Sequence, residues 1–148
     1  MSAREMHGTH TSTWCMGCGN FGIFHALKNV LATLSANDTV LVTGIGCSSK
    51  IAQYMNGYRV ESLHGRSLPV ATGVKLANHH LTVIAEGGDG DGMGLGMGHF
   101  VHTARRNLDI SYFVNNNQIY GLTKGQASST TDLGTVSKFT LPSVGDVE

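Results

Sequence analysis

The 148-residue sequence carries ten basic and ten acidic side chains, for a formal net charge of zero. That balance leaves no basic surplus to neutralise a nucleic-acid backbone, and no apolar run reaches the roughly 18 residues of a membrane span. The N-terminus, MSAREMHGTHTS, lacks the apolar core of a secretory signal, so a cytoplasmic location is expected.

A single domain over residues 1–148 fits this length. After a Cys-x-x-Cys turn, GNFGIFHALKNVLATLSAND places Phe24, Leu27, Leu31 and Leu34 at three- and four-residue steps, which predicts a helix with one buried face. DTVLVTGIG is a β-branched run ended by glycines, as in a strand buried on both faces. SSKIAQYMNGY predicts a short helix capped by Ser48 or Ser49, and LPVATGVKLANHH another helix leading into the strand LTVIAEG. GMGHFVHTARRNLD follows as a glycine-loosened helix, then ISYFVNNN as a third strand.

Alternating strands and helices predict an α/β fold, a parallel sheet with helices on both faces and right-handed crossovers. Residues 127–148 are polar and irregular. Three strands and this tail lead us to expect an incomplete fold, the N-terminal part of a longer subunit.

Ligands of open parallel sheets gather beyond the carboxyl ends of the strands. Three such ends carry conspicuous residues here, GIGCSS, GGDGDG and NNNQIYG, and all three can converge on one crevice. Neither glycine stretch has the spacing of a dinucleotide fingerprint, and no glycine loop ends in Lys-Ser or Lys-Thr as a P-loop does. Asp89 and Asp91 could simply cap the following helix. Asn117, however, follows Asp89 by 28 residues at the end of the next strand, so one crossover brings the two together. A carboxylate, an amide oxygen and a main-chain carbonyl form a hard, oxygen-only set suited to Mg²⁺, with positions left for phosphate oxygens.

Three cysteines without a secretory signal argue against a disulfide framework, so Cys-x-x-Cys points to metal or redox chemistry. Cys15 and Cys18 present two thiolates on one turn, and Cys47 can return to them from a strand end. A competing reading closes a tetrahedral zinc site with His7, His10, Cys15 and Cys18, which leaves Cys47 unexplained.

Gly-Asp-Gly followed after some two dozen residues by Asn-Asn resembles the thiamine diphosphate signature. The fuller string GGDGDGMGLGMGHFVHTARRNLDISYFVNNNQIYGLTKGQ is similar to the β subunit of 2-oxoacid:ferredoxin oxidoreductases. WCMGCGNFGIFHAL, GIGCSSK and LHGRSLPVATGVKLAN match that family in the same order, over roughly residues 13–126. The resemblance implies a thiamine diphosphate-binding fold. It assigns Mg²⁺ to Asp89, Asn117 and the carbonyl of Ile119, and the diphosphate side to Gly90, Asp91, Gly121 and Leu122. Ile45, Gly46, Cys47 and Ser48 would approach the cofactor from the first strand, with His64, Gly65, Arg66 and Ser67 as another wall.

The resemblance further implies a [4Fe–4S] cluster on Cys15, Cys18 and Cys47, with a fourth cysteine from further along the family's chain. No catalytic side chain is assigned here, because the family's activating carboxylate lies on the α subunit of the heterodimer. The implied reaction converts a 2-oxoacid and coenzyme A to acyl-CoA with electrons passed to ferredoxin, and NNNQIYGLTKGQ inclines towards 2-oxoglutarate over pyruvate. The competing readings are a thiamine diphosphate decarboxylase or synthase without electron transfer, and a non-catalytic metal-binding interaction domain.

Overall fold

Alternation along two central strands decides which layer each side chain enters. The structure, a computed structural model, describes residues 2–137 and residue 139. In chain order the elements are α1 (Asn20–Thr33), β1 (Thr39–Thr43), a 3₁₀ helix (Ser49–Tyr54), β2 (Tyr58–Glu61), α2 (Ser67–Ala77) and β3 (Thr82–Gly88). A π-helical turn (Gly90–Leu95), α3 (Met97–Arg106), β4 (Ile110–Asn115) and a ribbon of β5 (Ile119–Tyr120) with β6 (Gln126–Ala127) complete them.

The main sheet has the order β2-β1-β3-β4, and every neighbouring pair in it is parallel. Leu41 of β1 and Ile84 of β3 face one layer, where they pack with Phe24, Leu27 and Leu31 of α1 and with Ile51 and Tyr54 of the 3₁₀ helix. Val40, Val42, Val83 and Ala85 face the other, against Leu68 and Ala71 of α2. Steps of two along each strand sort these residues, and each fully buried aliphatic side chain stabilises the fold by roughly 1.5–3 kcal/mol. Helices thus cover both faces, as the sequence pattern requires.

The sheet has one strand more than the sequence suggests. β2, YRVE, is short and exposed along its whole length, so no hydrophobic run marks it. Its pairing with β1, from Val40 opposite Tyr58 to Thr43 opposite Glu61, is what makes it a strand. The helix expected from Ser48 is a single 3₁₀ segment, and the Ser48 hydroxyl makes no cap bond. The segment expected as an irregular tail begins with β6 and continues as turns that fold back towards the sheet. Residues 138 and 140–148 of that tail lie outside the described residues.

Candidate cofactor-binding site

Because the strands are parallel, β1, β3 and β4 release their chains at the same edge, and a cleft opens there. Ile45 and Gly46 line it from the end of β1, and His64 from the loop between β2 and α2. Asp89, Gly90 and Asp91 form its floor, while Asn117, Ile119, Gly121 and Leu122 close it from the far side. Ten of the residues singled out by sequence therefore share one cavity.

Asp89 and Asp91 are two residues apart at a helical turn, so their side chains leave on roughly opposite sides. The π-helical turn, closed by Gly96 N donating to Asp91 O at 2.8 Å, holds that divergence in place. Neither carboxylate caps a helix. Asp91 instead draws three loops together: its Oδ1 accepts from Gly65 N at 2.7 Å and Ile45 N at 3.1 Å, and lies 2.6 Å from His64 Nδ1. Gly65 has φ +71° and packs against the backbone of Gly96, so a side chain at this position would be both strained and crowded.

Asp89 faces the Asn117 side. Its Oδ1 accepts from Asn117 N at 3.3 Å, and Asn117 Oδ1 in turn accepts from Ile119 N at 3.1 Å. Gln118 between them adopts φ +60°, the left-handed conformation that folds the tip back. Burial opposes ionisation of Asp89, but hydrogen bonds from Ser128, Thr130 and Asn117 outweigh it and lower its pKa. A buried carboxylate kept ionised on the same cleft as Asn117 and Ile119 supplies, with their neutral oxygens, a set that fits a hard divalent cation.

Five predicted residues stand behind the cleft rather than on its surface. Ser48 is buried close under Gly88, and Ser67 is buried at the start of α2. Gly65 carries the bond to Asp91. The Arg66 guanidinium folds back on its own loop, donating to the His64 and Gly65 carbonyls at 3.4 and 3.3 Å. Cys47 sits behind Gly121, where a Cβ added to the glycine would lie 3.5 Å from its Sγ.

Sequence reasoning overlooked Tyr120, whose hydroxyl donates to the Gly90 carbonyl at 3.1 Å and whose ring meets His64 edge-on at 6.1 Å. It also overlooked Ser128 and Thr130, whose hydroxyls donate to Asp89 Oδ2, Thr130 from 2.6 Å. A lone tyrosine in a two-residue strand and hydroxyls in a polar tail give no periodic signal.

Glu86 was missed as well. It is fully buried at the end of β3, accepts from Asn115 Nδ2 at 2.7 Å on Oε1, and has no hydrogen-bond partner on Oε2. Burial pushes its pKa up to about 7, while nearby Ser48, Ser49 and Asn115 pull the other way. The folded chain therefore holds this proton more tightly than the unfolded one. Between about pH 4.5 and 7 the native state binds more protons, so stability falls as pH rises, and the loss is complete above 7. Glu86→Gln keeps the Asn115 bond without the charge. Denaturant titrations across this window are expected to show the variant flat in pH and more stable than wild type at pH 8, by on the order of 2–3 kcal/mol.

The three cysteines lie close enough to influence one another without closing into a ligand set. Cys18 N donates to Cys15 O at 3.1 Å, closing the Cys-x-x-Cys turn, and Trp14 Nε1 donates to the Cys47 carbonyl at 2.5 Å. Burial raises the Cys47 thiol pKa, Lys50 opposes the rise, and the neighbouring Cys18 and Cys15 add to it. Cys15 is exposed, and among the described residues no three His, Cys, Asp or Glu side chains close around an ion. Neither the zinc set nor the three-cysteine set is assembled among the described residues. His7 instead lies 3.4 Å from Lys28 Nζ and packs edge-on against Phe24.

Comparison with known proteins agrees with this geometry. The family "Thiamine pyrophosphate enzyme, C-terminal TPP binding domain" matches residues 44–144. The β subunit of 2-oxoacid:ferredoxin oxidoreductase 1 from Aeropyrum pernix is 49% identical over 138 residues, which is 91% of this chain and 43% of that protein. The corresponding subunit from Saccharolobus solfataricus is 52% identical over 84% of this chain and 42% of its own length. The KorB subunit of 2-oxoglutarate oxidoreductase from Mycobacterium tuberculosis is 43% identical over 86% of this chain and 35% of its own. The chain thus spans under half of each of these relatives.

Among solved structures, 2-oxoglutarate:ferredoxin oxidoreductase from Magnetococcus marinus, with 2-oxoglutarate, coenzyme A and succinyl-CoA bound, superposes with a TM-score of 0.87 at 39% identity. That alignment covers 91% of this chain and 47% of the other. The chain belongs to the thiamine pyrophosphate enzyme family, through its C-terminal TPP-binding domain, and within that family it is similar to the β subunits of 2-oxoacid:ferredoxin oxidoreductases.

Proposed function

We propose that this chain is the cofactor-binding part of a β subunit in a cytoplasmic, CoA-acylating 2-oxoacid:ferredoxin oxidoreductase. The observation that carries this reading is the meeting of Asp89, Asn117 and Ile119 with Gly90 and Gly121 around one cleft. Asp89, the Asn117 amide oxygen and the Ile119 carbonyl would hold Mg²⁺. Gly90, Gly121 and Leu122 would let the backbone approach a diphosphate, with Ile45, Gly46 and His64 forming the facing wall. Cys15, Cys18 and Cys47 would hold an iron–sulfur cluster, which calls for a fourth ligand beyond the chain's three cysteines.

When bound, thiamine diphosphate supplies an electron sink for a 2-oxoacid losing carbon dioxide, and the cluster a one-electron route to ferredoxin. This chain's own residues position and anchor. Both carboxylates lining the cleft are already engaged, Asp89 by Ser128 and Thr130 and Asp91 by Ile45 and Gly65. Activation of the aminopyrimidine ring is assigned here to the partner α subunit.

The full-length protein is expected to bind thiamine diphosphate in a Mg²⁺-dependent manner by calorimetry, and to show iron–sulfur absorption when purified anaerobically. It is expected to convert 2-oxoacids with coenzyme A and an artificial acceptor only once the α subunit is added. A colourless, zinc-loaded preparation, or sustained turnover without any partner, overturns the reading.

A further inference from the structure

Asp89 is held by a part of the chain that lies beyond the motifs read from the sequence. Residues 128–132 form a strap across the Asn116–Gln118 tip: Thr131 Oγ1 donates to the Gln118 carbonyl at 2.6 Å and accepts from Ser128 N at 2.8 Å, while Gln118 Nε2 donates to Asp132 Oδ1 at 3.3 Å. This stitching aims two hydroxyls at one carboxylate oxygen. Ser128 Oγ donates to Asp89 Oδ2, and Thr130 Oγ1 lies 2.6 Å from the same oxygen. Thr130 Oγ1 is also 2.8 Å from Asn116 Oδ1, but its single proton goes to the charged acceptor, which binds it more strongly.

The two oxygens of Asp89 are thereby made unequal. Oδ2 is taken up by the strap. Oδ1 lies on the Asn117 side, where its contact is the long 3.3 Å bond from Asn117 N. A cation reached by both Asp89 and Asn117 must approach Oδ1. We propose that Ser128 and Thr130 are positioning residues for the divalent cation, fixing the Asp89 carboxylate through Oδ2 so that Oδ1 is presented to the metal.

The inference rests on the cofactor reading above and assigns a role to two residues that reading leaves unused. Partners one shell out from a metal set its ligands' orientation, and their loss typically weakens metal affinity 10–100-fold.

The test is a Mg²⁺ titration of the full-length protein in its assembled complex at fixed thiamine diphosphate, followed by calorimetry, with folding checked by circular dichroism. Ser128→Ala/Thr130→Ala is expected to raise the Mg²⁺ half-saturation point by about 10–100-fold. Thr130→Ala alone, which keeps the Ser128 bond, should fall between. Ser128→Thr/Thr130→Ser retains both hydroxyls and is expected to restore the wild-type titration, a rescue that a purely packing role would not give. An unchanged titration in the double alanine variant overturns the proposal. So does tighter Mg²⁺ binding, which would make the strap a competitor of the cation. If the unsubstituted protein binds no thiamine diphosphate with Mg²⁺, the cofactor reading itself falls and the strap's role with it.

Discussion

Asp89→Ala is expected to abolish Mg²⁺-dependent thiamine diphosphate binding, with a loss of affinity greater than about 100-fold. Loss of an outer-shell partner alone typically costs about 10–100-fold, and this change would remove a ligand itself. Asp89 is the charged member of the proposed oxygen set, to which Asn117 and Ile119 would contribute neutral oxygens. Asp89→Asn keeps an acceptor and the approximate shape but removes the charge, so it should bind weakly and saturate only at high Mg²⁺. Calorimetry on the full-length protein, with and without EDTA, separates the two variants. Wild-type affinity in Asp89→Ala would remove the centre of the site.

Asp91→Ala is expected to act on folding rather than on the cation. Its Oδ1 receives Gly65 N, Ile45 N and the His64 ring, and the side chain is buried. Removing it strands two main-chain donors from different loops and leaves a void beneath the glycine turn. The cost should be about 3–5 kcal/mol, as for breaking one side of a buried charged network. Asp91→Asn retains an oxygen and should cost about 1–2 kcal/mol. Urea unfolding of the full-length protein measures both. Equal stability of the alanine variant and wild type would show that the three loops hold their positions without this carboxylate.

Much of the fold is legible in the sequence because β1 and the middle of β3 are buried on both faces, which gives DTVLVTGIG and LTVIAEG their aliphatic runs VLV and VIA. β2 was not legible, because YRVE is an exposed edge whose strand character comes from its neighbour. The site divides in the same way. Asp89, Asn117 and the glycines could be read because chain order and crossover geometry bring strand ends together. The division of labour between Asp89 and Asp91 could not, since it depends on a π-helical turn that residue spacing does not announce. Nor could the contribution of Ser128 and Thr130, which reach Asp89 across 39 and 41 residues.

The cleft draws its walls from Ile45, His64, Asp89 and Ile119, stretches far apart in the chain that strand pairings such as Val40 with Val83 and Glu86 with Phe113, together with the Asp91 bonds, bring to one edge. No partial assembly of these segments can capture the ligand, so its affinity is expressed only by the complete sheet. Mass action then couples saturation to global unfolding. At a free concentration one hundred times Kd, the bound molecule adds about 2.7 kcal/mol to the stability of every element at once. Supply of the vitamin would thereby set the lifetime of the polypeptide as well as its readiness to turn over.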